Sequence, residues 1–240
     1  MRVPAIFGAA ALVAAAALAP HAGAAPARPR AAAPVDWTKR VAATPQGGFV
    51  MGNPAAKVKV VEYGSLTCGH CAAFSAAAFD AKAGAPLLAH VRSGKVSYEF
   101  RNFVLNGTDV AASLVARCTG PAGFFKFADR AYATQRQWMD RIGNLSAAQK
   151  AQLNGLSKSQ ALVRLGEIGG LVQMGTEMGL PAARAKACLA DPAALDRLGK
   201  MYEAAQALGV EGTPTFFLNG RNIGTHDWSS LQPLIRQAGG

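Results

Sequence analysis

Hydrophobic and polar residues first fall into a readable order at Lys57-Val58-Lys59-Val60-Val61-Glu62-Tyr63, where alternation and β-branched side chains predict a strand. An alanine-rich run from Ala72 to Ala83 follows with helix-forming composition, and Pro86 and Gly94 bracket a second, short helical stretch. From Lys95 to Phe103 the alternation returns, with Val96, Tyr98 and Phe100 set against Ser97, Glu99 and Arg101. Strand, helix and strand in that order make a βαβ unit. Between Asn106 and about Ala207 nothing reads as a strand. Helix signals recur there instead: Ser146 and Ser157 as N-caps, Pro181 at a first helical position, Asp191-Pro192 as cap and first residue, and Gly209 as a closing glycine. The strand pattern resumes at Thr215-Phe216-Phe217-Leu218, turns at Asn219-Gly220 and continues to Gly224 as a hairpin, ahead of a last helix near Ser229 to Gln237. The predicted architecture is α/β: a βαβ unit, an all-helical insertion, then ββα.

Ahead of these elements Arg2 precedes an apolar run from Ala5 to Ala19 and the small residues Ala22-Gly23-Ala24, the pattern of a secretory signal peptide cleaved after Ala24. The run, about fifteen residues, is shorter than the roughly twenty of a membrane-spanning helix, and a proline-rich stretch follows it rather than a basic stop-transfer cluster. No cysteine precedes Cys68, so no lipid-attachment residue follows the run. Residues 25–45, rich in Ala, Pro and Arg without period, read as a flexible leader. The expected organisation is therefore signal peptide 1–24, leader 25–45, first part of the α/β domain 46–105, helical insertion 106–207, and second part of the domain 208–240. The expected location is the periplasm.

Lys and Arg number 25 against 14 Asp and Glu, a net charge of +11, which becomes 24 − 14 = +10 once Arg2 leaves with the signal. The basic residues are scattered, with no run of five or more and no aromatic residues interleaved, so nucleic acid is not an expected partner. The surplus reads as a solvated basic surface, with weak contact to anionic lipid as the lesser alternative.

The chemistry is concentrated in Cys68-Gly69-His70-Cys71, placed between a predicted strand and a predicted helix. Unsatisfied N–H groups and the positive end of the macrodipole at that helix start stabilise a thiolate on the first cysteine, which makes Cys68 the expected nucleophile. His70 is expected to add a hydrogen bond or a positive charge near the Cys68 sulfur. Cys71, one turn on, is placed to close a disulfide and to be the more buried partner. A zinc site is the weaker reading, because Cys118 and Cys188 do not form a second close pair. Haem attachment is excluded by Ala72, which stands where a histidine is needed. A purely structural disulfide stays open. No metal and no cofactor is expected.

The order of elements, together with Val61-Glu62-Tyr63, Cys68-Gly69-His70-Cys71 and the stretch Gly209-Val210-Glu211-Gly212-Thr213-Pro214-Thr215-Phe216-Phe217, resembles the DsbA-like thiol:disulfide oxidoreductases, a thioredoxin fold carrying a helical insertion. The resemblance covers nearly all of the chain after the signal. It implies a cis peptide at Thr213-Pro214, facing Cys68 and offering backbone groups to an extended substrate, where base rates alone would favour trans. It implies that Glu62 is a buried acid beneath the site that relays the proton of Cys71, the alternative being an exposed strand charge. It also implies a second disulfide, Cys118 to Cys188, pinning two insertion helices, against two buried free thiols. The implied activity is oxidation of reduced, unfolded exported proteins by a monomer, itself reoxidised by a quinone-linked membrane oxidase. Gly69 stands where the family most often has proline, and Gly-His is the pair of protein disulfide isomerase, so a milder oxidant is expected. Isomerase or reductase activity is the main alternative, and a non-catalytic chaperone or copper-handling module the more distant one.

Overall fold

Two short strands, β1 (Val41–Ala43) and β2 (Phe49–Gly52), precede the first strand that alternation predicts. The expected leader is therefore too long at its carboxyl end: Trp37–Lys39 forms a 3-10 turn capped by Asp36, and the chain joins the sheet from Val41. At three and four residues these strands are too short to display a period, and Phe49, Met51 and Gly52 are all buried. Tertiary pairing makes them strands, with Phe49 opposite Phe100 and Met51 opposite Tyr98. The described residues of this computed structural model are 35–240 and the isolated positions 1, 4, 5 and 8. The expected signal peptide and most of the leader lie outside them.

The βαβ unit follows as β3 (Val58–Gly64), α1 (Gly69–Ala78), α2 (Pro86–Arg92) and β4 (Val96–Asn102), with β3 and β4 parallel and in register from Val58 opposite Val96. Helix α1 begins before Ala72 and ends before the alanine-rich run does. Asp80 stops it by folding a turn, its side chain accepting the Lys82 N–H at 2.9 Å and its carbonyl the Ala85 N–H at 2.6 Å.

Eight helices form the insertion: α3 (Gly107–Cys118), α4 (Gly120–Ala133), α5 (Gln135–Gly143), α6 (Ala147–Asn154), α7 (Lys158–Ile168), α8 (Leu171–Glu177), α9 (Ala182–Ala190) and α10 (Pro192–Ala207). Ser146 and Ser157 each close a full capping box with Gln149 and Gln160, while Pro181 is an N-cap rather than a first helical residue. Among the described residues no helix is long and apolar enough to cross a membrane.

The chain then returns as β5 (Thr215–Leu218), β6 (Arg221–Gly224) and α11 (Trp228–Gln237). Asn219 and Gly220 both have positive φ, 50° and 84°, as a two-residue hairpin turn of this hand requires. Strand β5 pairs antiparallel with the free side of β3, giving the sheet order β1-β2-β4-β3-β5-β6.

Period-two alternation assigns the faces of β3. Val58 and Val60 point into one core with Phe74, Leu87, Val96, Tyr98, Phe216 and Ile235, beneath α1, α2 and α11. Glu62 has the same parity and so lies on that face. Tyr63, with Phe103 and Phe217, packs on the other face against Ala205 near the end of α10 and Val210 beyond it. The insertion core, which holds Leu114, Phe124, Phe127, Trp138 and Leu189, reaches the sheet through Phe49, Leu66 and Phe100. The Phe49 and Phe124 rings stack with centroids 4.3 Å apart, and fully burying a phenylalanine contributes about 1.5–3 kcal/mol. Leu66 and Phe100 anchor the insertion beside the carboxyl ends of the parallel strands, where α/β sheets hold their sites.

Candidate active site

Crowding requires a glycine at the end of β3, since a Cβ on Gly64 would lie 2.5 Å from a Phe100 ring carbon and 2.8 Å from Glu62 Oε1. The chain then turns through Ser65, Leu66 and Thr67, with the Thr67 N–H donating to Ser65 Oγ at 3.1 Å and the Cys68 N–H to the Ser65 carbonyl at 3.2 Å. Cys68 is the N-cap of α1 in an extended conformation, φ −81° and ψ 122°, and its sulfur accepts the Cys71 N–H at 3.4 Å. The sulfur thus faces the open N–H groups of the first helical turn.

Thr213-Pro214 is cis, and the Thr213 carbonyl lies 3.3 Å from Cys68 Sγ, which donates to it as a thiol, across 145 residues of sequence. Cys68 and Cys71 are both free thiols. Cys71 is 0% exposed and Cys68 9%, so only the Cys68 sulfur is open to attack. His70 is exposed and lines a cleft beside the thiols together with Phe74, Pro214, His226 and Trp228.

The electrostatics separate the two thiols. Cys68 is lowered to about 5, first because the Cys71 thiol donates to it; burial opposes this, and the Thr213 side chain and the backbone N–H groups of Cys71 and His70 add to it. Cys71 moves the other way, pushed well above the ordinary thiol value by burial and by holding its proton for Cys68. His70 adds a hydrogen bond to Cys68 through its backbone N–H.

Glu62 is 1% exposed on the face beneath α1 and accepts a hydrogen bond from the Tyr98 hydroxyl at Oε2, while Oε1 has no hydrogen-bond partner among the described residues. Burial raises its carboxyl to about 8; the Tyr98 bond and the neighbouring Cys71 thiol work against burial, and the Cys68 charge works with it. A neutral acid next to Cys71 can hold or give up one proton near neutral pH. The folded state therefore binds a proton that the unfolded chain, at 4.5, has released, and stability should fall as pH rises from about 4.5 to 8. Glu62→Gln should remove that slope, stabilising the reduced protein by a few kcal/mol at pH 8 and hardly at pH 4 in urea unfolding; a pH-independent difference would refute it.

Cys118, at the end of α3, and Cys188, in α9, are joined as a disulfide with Cα atoms 6.1 Å apart, well away from the CxxC. Several groups at the corner carry no sequence signal of their own. Asp109 on α3, fully buried and raised to about 6 by burial, accepts the N–H groups of Leu66 and Leu105, each at 3.0 Å. Tyr132 on α4 donates to the Ser65 carbonyl at 3.1 Å, and Gln135 on α5 donates to two further carbonyls of the same turn. Only Tyr98 was accessible to pattern reading, since its parity in β4 matches that of Val96.

The family model described as thioredoxin matches residues 44–237. The chain belongs to the thioredoxin family. Within it, the insertion gives a DsbA-like outline. A crystal structure of a protein-disulfide isomerase from Novosphingobium aromaticivorans is 29% identical, with a TM-score of 0.71 over 81% of this chain and 98% of that one. The crystal structure of alpha-DsbA1 from Wolbachia pipientis shares the fold with a TM-score of 0.60 at 21% identity, over 79% of this chain and 89% of that one. A Rickettsia bellii protein provisionally named a protein-disulfide oxidoreductase is 28% identical over 197 residues, 80% of this chain and 65% of that relative. The chain thus spans less than two thirds of that curated relative, and 59% of a similarly named one from Rickettsia felis.

Proposed function

We propose that this thioredoxin-family protein is an exported thiol:disulfide oxidoreductase that introduces disulfides into other polypeptides through Cys68 and Cys71. The carrying observation is the Cys68 sulfur at a helix start, held as a thiolate down to about 5. A stabilised thiolate favours the reduced pair and so makes the disulfide form an oxidant. In the first step a substrate thiolate attacks Cys68 Sγ of the disulfide, the Cys68–Cys71 bond breaks, and Cys71 leaves and takes a proton from Glu62. In the second, another substrate thiol, deprotonated by solvent, attacks its own sulfur in the mixed disulfide and Cys68 leaves as a thiolate. Two electrons pass to the protein and the substrate gains one disulfide. The cleft beside Pro214 supports an extended polypeptide as substrate.

The remainder of the reading is carried by sequence and family. The apolar amino-terminal segment supports export to the periplasm, and turnover requires an acceptor, for which a quinone-linked membrane oxidase is the natural class. A monomer suffices, because both thiols lie in one chain. Equilibration with glutathione tests the direction: the pair should be more oxidising than thioredoxin. Its potential should fall by roughly 30 mV per pH unit above about 5, because only Cys71 then takes up a proton on reduction. A thioredoxin-like potential would end the oxidase reading. The isomerase reading is favoured by one finding, the name of the Novosphingobium structure, and efficient unscrambling of misoxidised ribonuclease would establish it instead.

A further inference from the structure

The turn that delivers Cys68 is gripped by the insertion. Asp109 takes the Leu66 N–H, the Tyr132 hydroxyl reaches the Ser65 carbonyl, and Asn106 donates to Thr67 Oγ1 at 3.2 Å. Gln135 goes furthest into the site. Its single side-chain Nε2 donates to the Leu66 carbonyl at 2.9 Å and to the Cys68 carbonyl at 3.0 Å, accounting for both of its protons. The Cys68 carbonyl also accepts the first helical N–H, from Ala72 at 3.1 Å.

Two donors on one carbonyl fix the plane of the Cys68–Gly69 peptide, and with it the ψ of 122° that sets where the Cys68 side chain points. We propose that Gln135 is a positioning residue for thiol–disulfide exchange, holding the Cys68 backbone so that its sulfur stays over the N–H groups at the start of α1. The inference rests on the reading of Cys68 as the nucleophile. Gln135 is not needed to anchor its own helix: Trp138, 2% exposed, does so with its indole N–H on the Ala131 carbonyl at 2.8 Å. Gln135 itself is only half-buried, so its replacement leaves the packing in place.

Two variants test this. Gln135→Leu keeps the bulk and removes both donors, and Gln135→Glu keeps the shape but turns an acceptor toward two carbonyls. In each, the ultraviolet absorbance of the Cys68 thiolate should titrate about one pH unit higher than in the unaltered protein, and the equilibrium with glutathione should move about tenfold toward the protein disulfide. The sign follows from the loss of thiolate stabilisation, which weakens the reduced form. Thermal unfolding of the oxidised protein monitors folding separately. Unfolding at lower temperature with an unmoved Cys68 titration in both variants would show a merely structural role and overturn the proposal. An unaltered protein whose Cys68 titrates as an ordinary thiol would instead overturn the oxidant reading on which it rests.

Discussion

Cys71→Ser should turn the protein into a trap that captures substrates and releases them only slowly. Cys68 keeps 9% of its surface exposed and Cys71 none, so the first covalent bond to a substrate can form only at Cys68. Without Cys71 there is no internal thiol to attack that bond. Serine at this position keeps an O–H in place of the S–H whose donation is the largest cause of the low Cys68 value, so the thiolate should persist. Mixed disulfides should then accumulate on non-reducing gels, with Cys68 identified as the linked residue by mass spectrometry. Cys68→Ser should reduce oxidation of a reduced test protein to the uncatalysed rate and form no such adducts. Adducts on Cys71 in the Cys68→Ser variant would reverse the assignment. Cys71→Ala adds a finer check: it removes the donor altogether, and Cys68 should titrate higher than in Cys71→Ser.

What the sequence made legible divides by range. The CxxC is local, a four-residue motif on a strand-to-helix corner, and its polarity between the two thiols follows from helix-terminus physics alone. The long strands β3 and β4 and the hairpin β5–β6 carry their own period or turn residues, whereas β2 exists because β4 offers it an edge, and β1 because β2 offers the next one. Glu62 shows the limit of pattern reading. A single acid in an alternating strand looks the same whether its face is solvated or covered, and what buries it is α1 overhead with Tyr98 as a hydrogen-bond partner. His70 differs again: what it adds to Cys68 is a backbone N–H, which any residue at that position would supply. The insertion's grip on the Ser65–Cys68 turn was illegible, because Asp109, Tyr132 and Gln135 come from three helices with no shared spacing.

Removing the Cys118–Cys188 bridge should cost the protein more stability than any other change that leaves the redox corner untouched. The bridge spans 70 residues of sequence, and a loop of that length contributes about 4 kcal/mol in the chain-entropy account. For a chain of this size that corresponds to roughly 10 °C in thermal midpoint. The clean variant is the double replacement Cys118→Ala with Cys188→Ala, since a reductant would also open Cys68–Cys71. Its exchange rate and glutathione equilibrium should stay those of the unaltered protein, because Cys118 sits at the far end of α3 from Asp109, which alone in that helix holds the Leu66 N–H. A changed equilibrium would mean instead that α3 shifts along its length when the bridge is lost and loosens that hold. Comparing the Cys68 titration in the double variant with that in Gln135→Leu decides between these cases: a common upward shift would trace both to the same turn, and an unmoved titration with a lowered midpoint would confine the bridge to the insertion.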